Sequence, residues 1–278
     1  MSKPLRFSRQ NSSFVVKINS HFSAQVDVKP NSRDLKTADL QKGLKIVHDG
    51  IEIVEGGMGF GAPVAKYSNS MYFPKCAKLI LTKDMITVKK VFHMDSIEQA
   101  KVGKHLVSRG SGGLAYLYRS SKFFRKPIIK FSELTKKVVN VRSEFKTVAS
   151  RGPVTIAYKV YADRIRVSCD MTKLDKSGCK GIFILNEQGS SFFRRYEDSD
   201  GRHLVDDEIG AWEKVRAKRA QLSDFDSFFS FCLQKVDNAN IWLGRETHEN
   251  IAWAGLIYEI PPNLNSFAYD ILIECEVS

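Results

Sequence analysis

Alternation of apolar and polar side chains runs through this chain from end to end, and it limits the fold more than any other feature. The clearest instance is Val154-Thr155-Ile156-Ala157-Tyr158-Lys159-Val160-Tyr161, then Ala162-Asp163, then Arg164-Ile165-Arg166-Val167-Ser168-Cys169. Two period-2 runs around a two-residue break predict a β-hairpin. Such a strand has one apolar face, and covering that face takes a second sheet. The expectation is an all-β, mainly antiparallel chain: a large β-sandwich or supersandwich with one or two short helices. Residues 1–278 are expected to form a single domain.

The same signal recurs elsewhere. Phe14–Ile18 and Ala24–Val28 predict a first strand pair. Leu44–Val47 and Ile51–Val54 flank His48-Asp49-Gly50, and glycine accepts the positive φ of a tight turn. Leu79–Leu81 and Ile86–Phe92 flank Lys83-Asp84. Leu114–Tyr118, Ile128–Phe131 and Val138–Phe145 are further strand candidates, and Ser108–Gly113 is the weakest seam. Gly181–Asn186, Trp253–Ile260 and Phe267–Glu274 complete the pattern. Two segments carry helical features instead. Trp212–Leu222 is rich in Ala, Lys, Arg and Glu. Phe225, Phe228, Phe229, Cys232 and Leu233 follow helical spacing behind a Ser223/Asp226 cap, although Phe229–Leu233 also fits a strand.

The net charge of +12 favours anionic partners, or solubility alone. No stretch approaches the roughly 20 apolar residues of a membrane span. The basic N-terminus has no apolar run behind it and is not a secretory signal. The odd count of five cysteines, with no two-residue spacing, fits reduced thiols, and Cys169 with Cys179 is the one pairing a loop permits. A cytoplasmic protein without a membrane partner is expected.

Candidate chemistry is sparse. Gly57-Met58-Gly59-Phe60-Gly61-Ala62 matches G-x-G-x-x-A, but Pro63 follows and no helix opens. A tight inter-strand loop is the expectation there, with no dinucleotide and no other cofactor. Glycines admit a close backbone approach, and Lys66, Tyr67 and Tyr72 follow them. None of the six histidines forms H-x-H or H-E-x-x-H, so no metal is expected. His93 and His203 remain candidate acid–base groups. Arg194 and Arg195 suit a carboxylate, and Glu197 shares their polar stretch. Asp198-x-Asp200-Gly201 fails as a calcium loop, because Tyr196 stands where the first oxygen ligand belongs. Nothing signals a zinc finger, RNA-binding motif, P-loop or serine nucleophile elbow.

From about Val154 onward the Val154 hairpin, the strand Gly181–Asn186, the aromatic strand Trp253–Ile260 and the closing strand Phe267–Glu274 resemble the galactose mutarotase-like β-supersandwich. The resemblance implies a carbohydrate ligand on the face of a large sheet. Lyase relatives take a proton beside a uronate carboxylate with Tyr or His, while a basic group neutralises the acid. Tyr67, His93, Arg194 and Arg195 have that chemistry. The expected function is therefore carbohydrate binding, preferably of an acidic sugar or polysaccharide, with epimerase- or lyase-like action. The alternatives are a non-enzymatic binding or structural module, and nucleic-acid binding through a basic surface.

Overall fold

The computed structural model describes residues 6–10, 13–28, 40–54, 56–67, 70–74, 76–82, 87–94, 97–102, 142–147, 150–190, 192–224, 229–248 and 251–275. In chain order, β1 (Arg6–Gln10), β2 (Ser13–Lys17), β3 (Phe22–Asp27), β4 (Lys45–His48) and β5 (Ile51–Glu52) form an antiparallel meander. Next come β6 (Gly59–Tyr67), β7 (Ser70–Tyr72), β8 (Cys76–Leu81) and β9 (Thr87–His93). β10 (Ile97–Val102) and β11 (Arg142–Thr147) pair with each other alone, in a separate unit covering Ile97–Val148. The rest of the chain forms the larger unit.

That unit continues with β12 (Pro153–Val160), β13 (Arg164–Asp170), β14 (Cys179–Gly189), β15 (Phe193–Asp198) and β16 (His203–Val205). It ends with β17 (Glu213–Val215), β18 (Arg219–Asp224), β19 (Phe229–Gln234), β20 (Asn240–His248), β21 (Ile251–Ile260) and β22 (Ser266–Cys275). Two large antiparallel sheets result among the described residues. One has the order β16-β15-β18-β19-β22-β13-β12-β9-β8, and the other β17-β20-β21-β14-β6-β7.

The predicted Val154 hairpin is β12–β13, with Val160 opposite Ile165. Every second residue of β12 is buried, as period 2 requires. The inner face of the nine-stranded sheet meets the six-stranded sheet through large rings. Phe60 packs against Phe231 at 4.8 Å, and Tyr258 against Tyr269 at 4.7 Å. Buried hydroxyls are satisfied across the gap: Tyr158 donates to the Gly61 carbonyl at 3.2 Å, and Tyr269 to Asn186 Oδ1 at 2.8 Å. The meander covers another part of the same inner face, with Phe22 5.0 Å from Phe229. There the fully buried Lys90 donates Nζ hydrogen bonds to the carbonyls of Asp27 and Lys42. Burial lowers the Lys90 amine to about 7.

Two expectations change. The segments predicted as helix are strands β17, β18 and β19, and the helix among the described residues is a 3-10 turn, Asp206–Glu208. In β18 burial alternates from Arg219 to Leu222, so the period is 2. In β19 Phe229–Leu233 are all buried: Phe229 and Phe231 pack inward on Phe22 and Phe60, and the small Ser230 and Cys232 are screened by Glu274 and Arg219 of the flanking strands. The glycine-rich run belongs largely to strand β6. Gly59 and Gly61 adopt φ of 73°, and the ladder to β14 shifts register between Leu185 and Asn186. Cys169 and Cys179 are unpaired, buried thiols. The candidate strands 114–118 and 128–131 and the seam 108–113 lie outside the described residues, and Arg142–Thr147 overlaps the end of the third candidate. Among the described residues no helix is long and apolar enough to cross a membrane.

Candidate functional site

The register of the six-stranded sheet sorts its side chains onto two faces. Tyr258, Ile184, Leu256, Leu243 and Asn186 point inward, and all are at most 1% exposed. The opposite face carries a different chemistry. Across it run the rows Asn240–Glu259–Phe183, Trp242–Ile257–Leu185, Gly244–Gly255–Glu187 and Glu246–Trp253–Gly189. Trp242, Trp253, Glu259 and Phe183 are half-buried, and Glu246 is exposed.

Trp212, just before β17, joins this face. Its ring lies on Gly244, where a side chain would overlap it, with a Cβ only 2.6 Å from Cε3. The Trp212 indole N–H donates to Glu246, and Trp242 Nε1 donates to Glu259 Oε2 at 2.9 Å. Asn240 Nδ2 reaches the same oxygen at 3.3 Å. All three tryptophans of the chain therefore occupy one face, two of them pinned by carboxylates. Beyond Glu259 the surface opens into a groove of about 510 Å³ lined by Lys180, Lys235, Asp237, Asn240 and Pro262.

Glu187 is the unusual group in this array. It is 5% exposed, and its Oε2 accepts the Met58 amide at 3.1 Å. Gly255 makes room for it, since a Cβ there would lie 2.8 Å from Glu187 Cγ. Burial, reinforced by the neighbouring Glu246 charge, pushes its carboxyl up to about 8. A neutral acid thus stands beside an exposed carboxylate at neutral pH, an arrangement suited to proton transfer.

The residues singled out in the sequence fall into separate places. Tyr67 and Tyr72 do meet, at 4.7 Å edge to face, at the β6–β7 edge. The Arg151 guanidinium lies 4.7 Å from the Tyr67 ring and pairs with Asp175 at 2.8 Å. The Tyr67 hydroxyl donates to the Asp175 carbonyl, and burial raises its pKa. Lys66, one residue earlier, is exposed and sits opposite Gly181, on the face that bears the tryptophans. His93 ends β9 in the other sheet, opposite Pro153. Arg194, Glu197 and His203 belong to the β15–β16 hairpin and its neighbour, the 3-10 turn. Arg194 already holds a carboxylate of its own chain, Asp206, through Nε at 2.5 Å and Nη2 at 3.1 Å. Arg195 stands opposite Val205, and His203 lies 3.5 Å from Glu197. The Asp198–Gly201 segment is the tip of this hairpin, its Asp198 carboxylate accepting the Asp200 and Arg202 amides.

Sequence spacing missed the tryptophan face for two reasons. Trp212 stood in a segment with helical composition, and Glu187 lies one residue beyond the predicted strand. The i, i+2 pattern Trp242-Gly244-Glu246 beside Trp253-Gly255-Ile257-Glu259 was the available signal. Spacing also missed a group with metal-ligand chemistry. His21 Nδ1, His48 Nε2 and the Asp49 carboxylate lie within 4.8 Å of one another.

No protein-family model matches the chain. No curated protein matches it at a significant level. Among solved structures it is similar to the protein HI1317, with 7% identity, a TM-score of 0.39, and coverage of 99% of this chain and 97% of that one. It is similar to the Slr1438 protein from Synechocystis sp. PCC 6803, with 6% identity, a TM-score of 0.37 and coverage of 99% and 97%. A galactose mutarotase-like protein from Lactobacillus casei ATCC 334 also matches, with 9% identity, a TM-score of 0.38 and coverage of 98% and 100%.

Proposed function

We propose that the protein binds a neutral carbohydrate on the outer face of its six-stranded sheet. The observation that carries this reading is the gathering of Trp212, Trp242 and Trp253 on one accessible sheet face beside Glu187, Glu246 and Glu259. A sugar ring presents flat C–H faces that pack on indole and a rim of hydroxyls that need polar partners. Rigid aromatic platforms beside a few fixed polar groups meet both demands. Anchoring the indole N–H groups to carboxylates fixes the platforms before a ligand arrives, which lowers the ordering cost of binding.

The Glu246 and Glu259 carboxylates on this face disfavour a uronate here, while Glu187 is held neutral. We therefore place neutral sugars ahead of the acidic ones suggested by the net charge. A second reading rests on Glu187. A carboxyl held neutral to about 8 beside the Glu246 carboxylate supplies an acid for a sugar's ring oxygen and a base for its anomeric hydroxyl, the two proton transfers that open and reclose a reducing sugar.

The test is tryptophan fluorescence titrated with neutral and uronate oligosaccharides. The reading predicts saturable quenching by a neutral sugar, abolished in Trp242→Ala and Trp253→Ala. An unquenched signal at millimolar sugar throughout, or quenching that survives both substitutions, refutes it. Nucleic-acid affinity that falls steeply with salt, without any sugar response, would favour the basic-surface reading instead. Polarimetry of a reducing sugar in wild type and Glu246→Gln tests the acid–base reading: equal rates in both overturn it.

A further inference from the structure

We propose a second, independent site: a divalent transition-metal site formed by His21, His48 and Asp49 at the open end of the meander. The site is built by the β4–β5 turn. Asp49 and Gly50 adopt positive φ of 47° and 84°, the backbone of a tight hairpin turn. That turn puts the Asp49 carboxylate between two imidazoles from adjacent strands or their ends. His21 Nδ1 lies 3.0 Å from Oδ1 and 3.3 Å from Oδ2, and His48 Nε2 lies 3.4 Å from Oδ2.

The three donors lie within 4.8 Å of one another, and the two carboxylate-to-imidazole separations fit neighbouring positions of a coordination polyhedron. Zinc bonds of roughly 2.0–2.1 Å to His nitrogen and carboxylate oxygen set neighbouring ligand atoms about 3.3 Å apart in a tetrahedron. The Asp49 oxygens already stand at that spacing from both imidazole nitrogens. His48 and Asp49 are neighbours in sequence and His21 stands 28 residues from Asp49, so the fold brings the third donor to the pair.

Each ligand is also held from behind. The Phe22 ring stacks on His48 at 4.4 Å and 16°. The Asn19 side chain accepts the backbone amides of His21 and Phe22, and the Asp49 amide donates to the His21 carbonyl at 2.9 Å. Ligands pre-positioned in this way need little reordering on binding. The side chains of His21, His48 and Asp49 remain 42%, 36% and 57% exposed. An ion can therefore enter, and a coordination position stays open to water or another ligand. Two imidazoles and one carboxylate suit zinc, copper, nickel or cobalt, and they disfavour the all-oxygen calcium and magnesium.

The experiment uses tag-free, chelator-stripped full-length protein. Zinc uptake is followed by calorimetry, and cobalt uptake by its visible ligand-field bands. A single equivalent is expected to bind, with affinity falling about tenfold or more in His21→Ala, His48→Phe and Asp49→Asn. His48→Phe keeps a ring against Phe22, and Asp49→Asn keeps a residue that tolerates positive φ. Thermal unfolding without metal should leave both variants close to wild type. Cys76→Ser removes the exposed thiol among the described residues as a competing ligand. Absence of zinc and cobalt binding at about 100 μM metal would overturn the proposal, since a pre-positioned three-ligand site should be filled well below that. Binding unchanged in the histidine variants, or lost only in Cys76→Ser, overturns it equally. The tryptophan face shares no residue with this site, so the two readings stand or fall separately.

Discussion

Replacing Glu187 with glutamine removes a proton site while keeping the shape and the oxygen that accepts the Met58 amide. The carboxyl has an ordinary value of 4.5 and is raised to about 8 by burial and by the charge of Glu246. At pH values below 4.5 both folded and unfolded chains hold this proton, and it contributes nothing to pH dependence. Above that, the unfolded chain releases the proton while the folded one keeps it. Stability is therefore lost as pH rises toward about 8. At about pH 7 the separation amounts to roughly 2.5 units, or about 3 kcal/mol at ~1.4 kcal/mol per unit. Glutamine escapes that loss. Urea unfolding of both proteins, followed by fluorescence, should give a difference that grows in favour of Glu187→Gln by about 2–3 kcal/mol between about pH 5 and pH 7. Any constant offset from the new amide drops out of this slope. A flat difference would show that Glu187 ionises normally in the folded chain, and the acid–base reading would fall with it.

Gly244→Ala should push the Trp212 ring off the sheet, cost about 1–3 kcal/mol and shift tryptophan emission to the red. Unchanged emission and unfolding midpoint would refute the contact. Lys90→Met removes an amine whose pKa burial lowers from 10.5 to about 7. The unfolded chain holds that proton up to the higher value, so wild-type stability should rise relative to the variant from about pH 7 to pH 9, by up to about 1.4 kcal/mol per unit. A pH-independent gap between the two unfolding curves would count against a neutral Lys90.

Strands were legible where one face is wet. The Val154 hairpin, the Asp49-Gly50 turn and the pairing of β8 with β9 follow from alternation and turn chemistry alone. β19 was ambiguous because its buried run Phe229–Leu233 shows little alternation, and such a run fits helix and strand alike. β17 and β18 looked helical because exposed Lys and Arg are good helix formers, and pairing with β20 and β15 overrides that weak preference. Tyr67 and Tyr72 could be put together from sequence since they lie on consecutive strands. Arg151 and Asp175, which complete their cluster, arrive from distant segments. The tryptophan face and the His21–His48–Asp49 group depend on register and on long-range turns, which no local spacing encodes.

β22 follows every other described strand in sequence, yet it lies in the interior of the nine-stranded sheet, hydrogen-bonded to β13 on one side and β19 on the other. During synthesis the two halves of that sheet must wait, each with an unsatisfied edge, until β22 leaves the ribosome. The nascent chain is thus most exposed to self-association before β22 emerges, and a premature stop ahead of Ser266 leaves two half-sheets with no seam to join them.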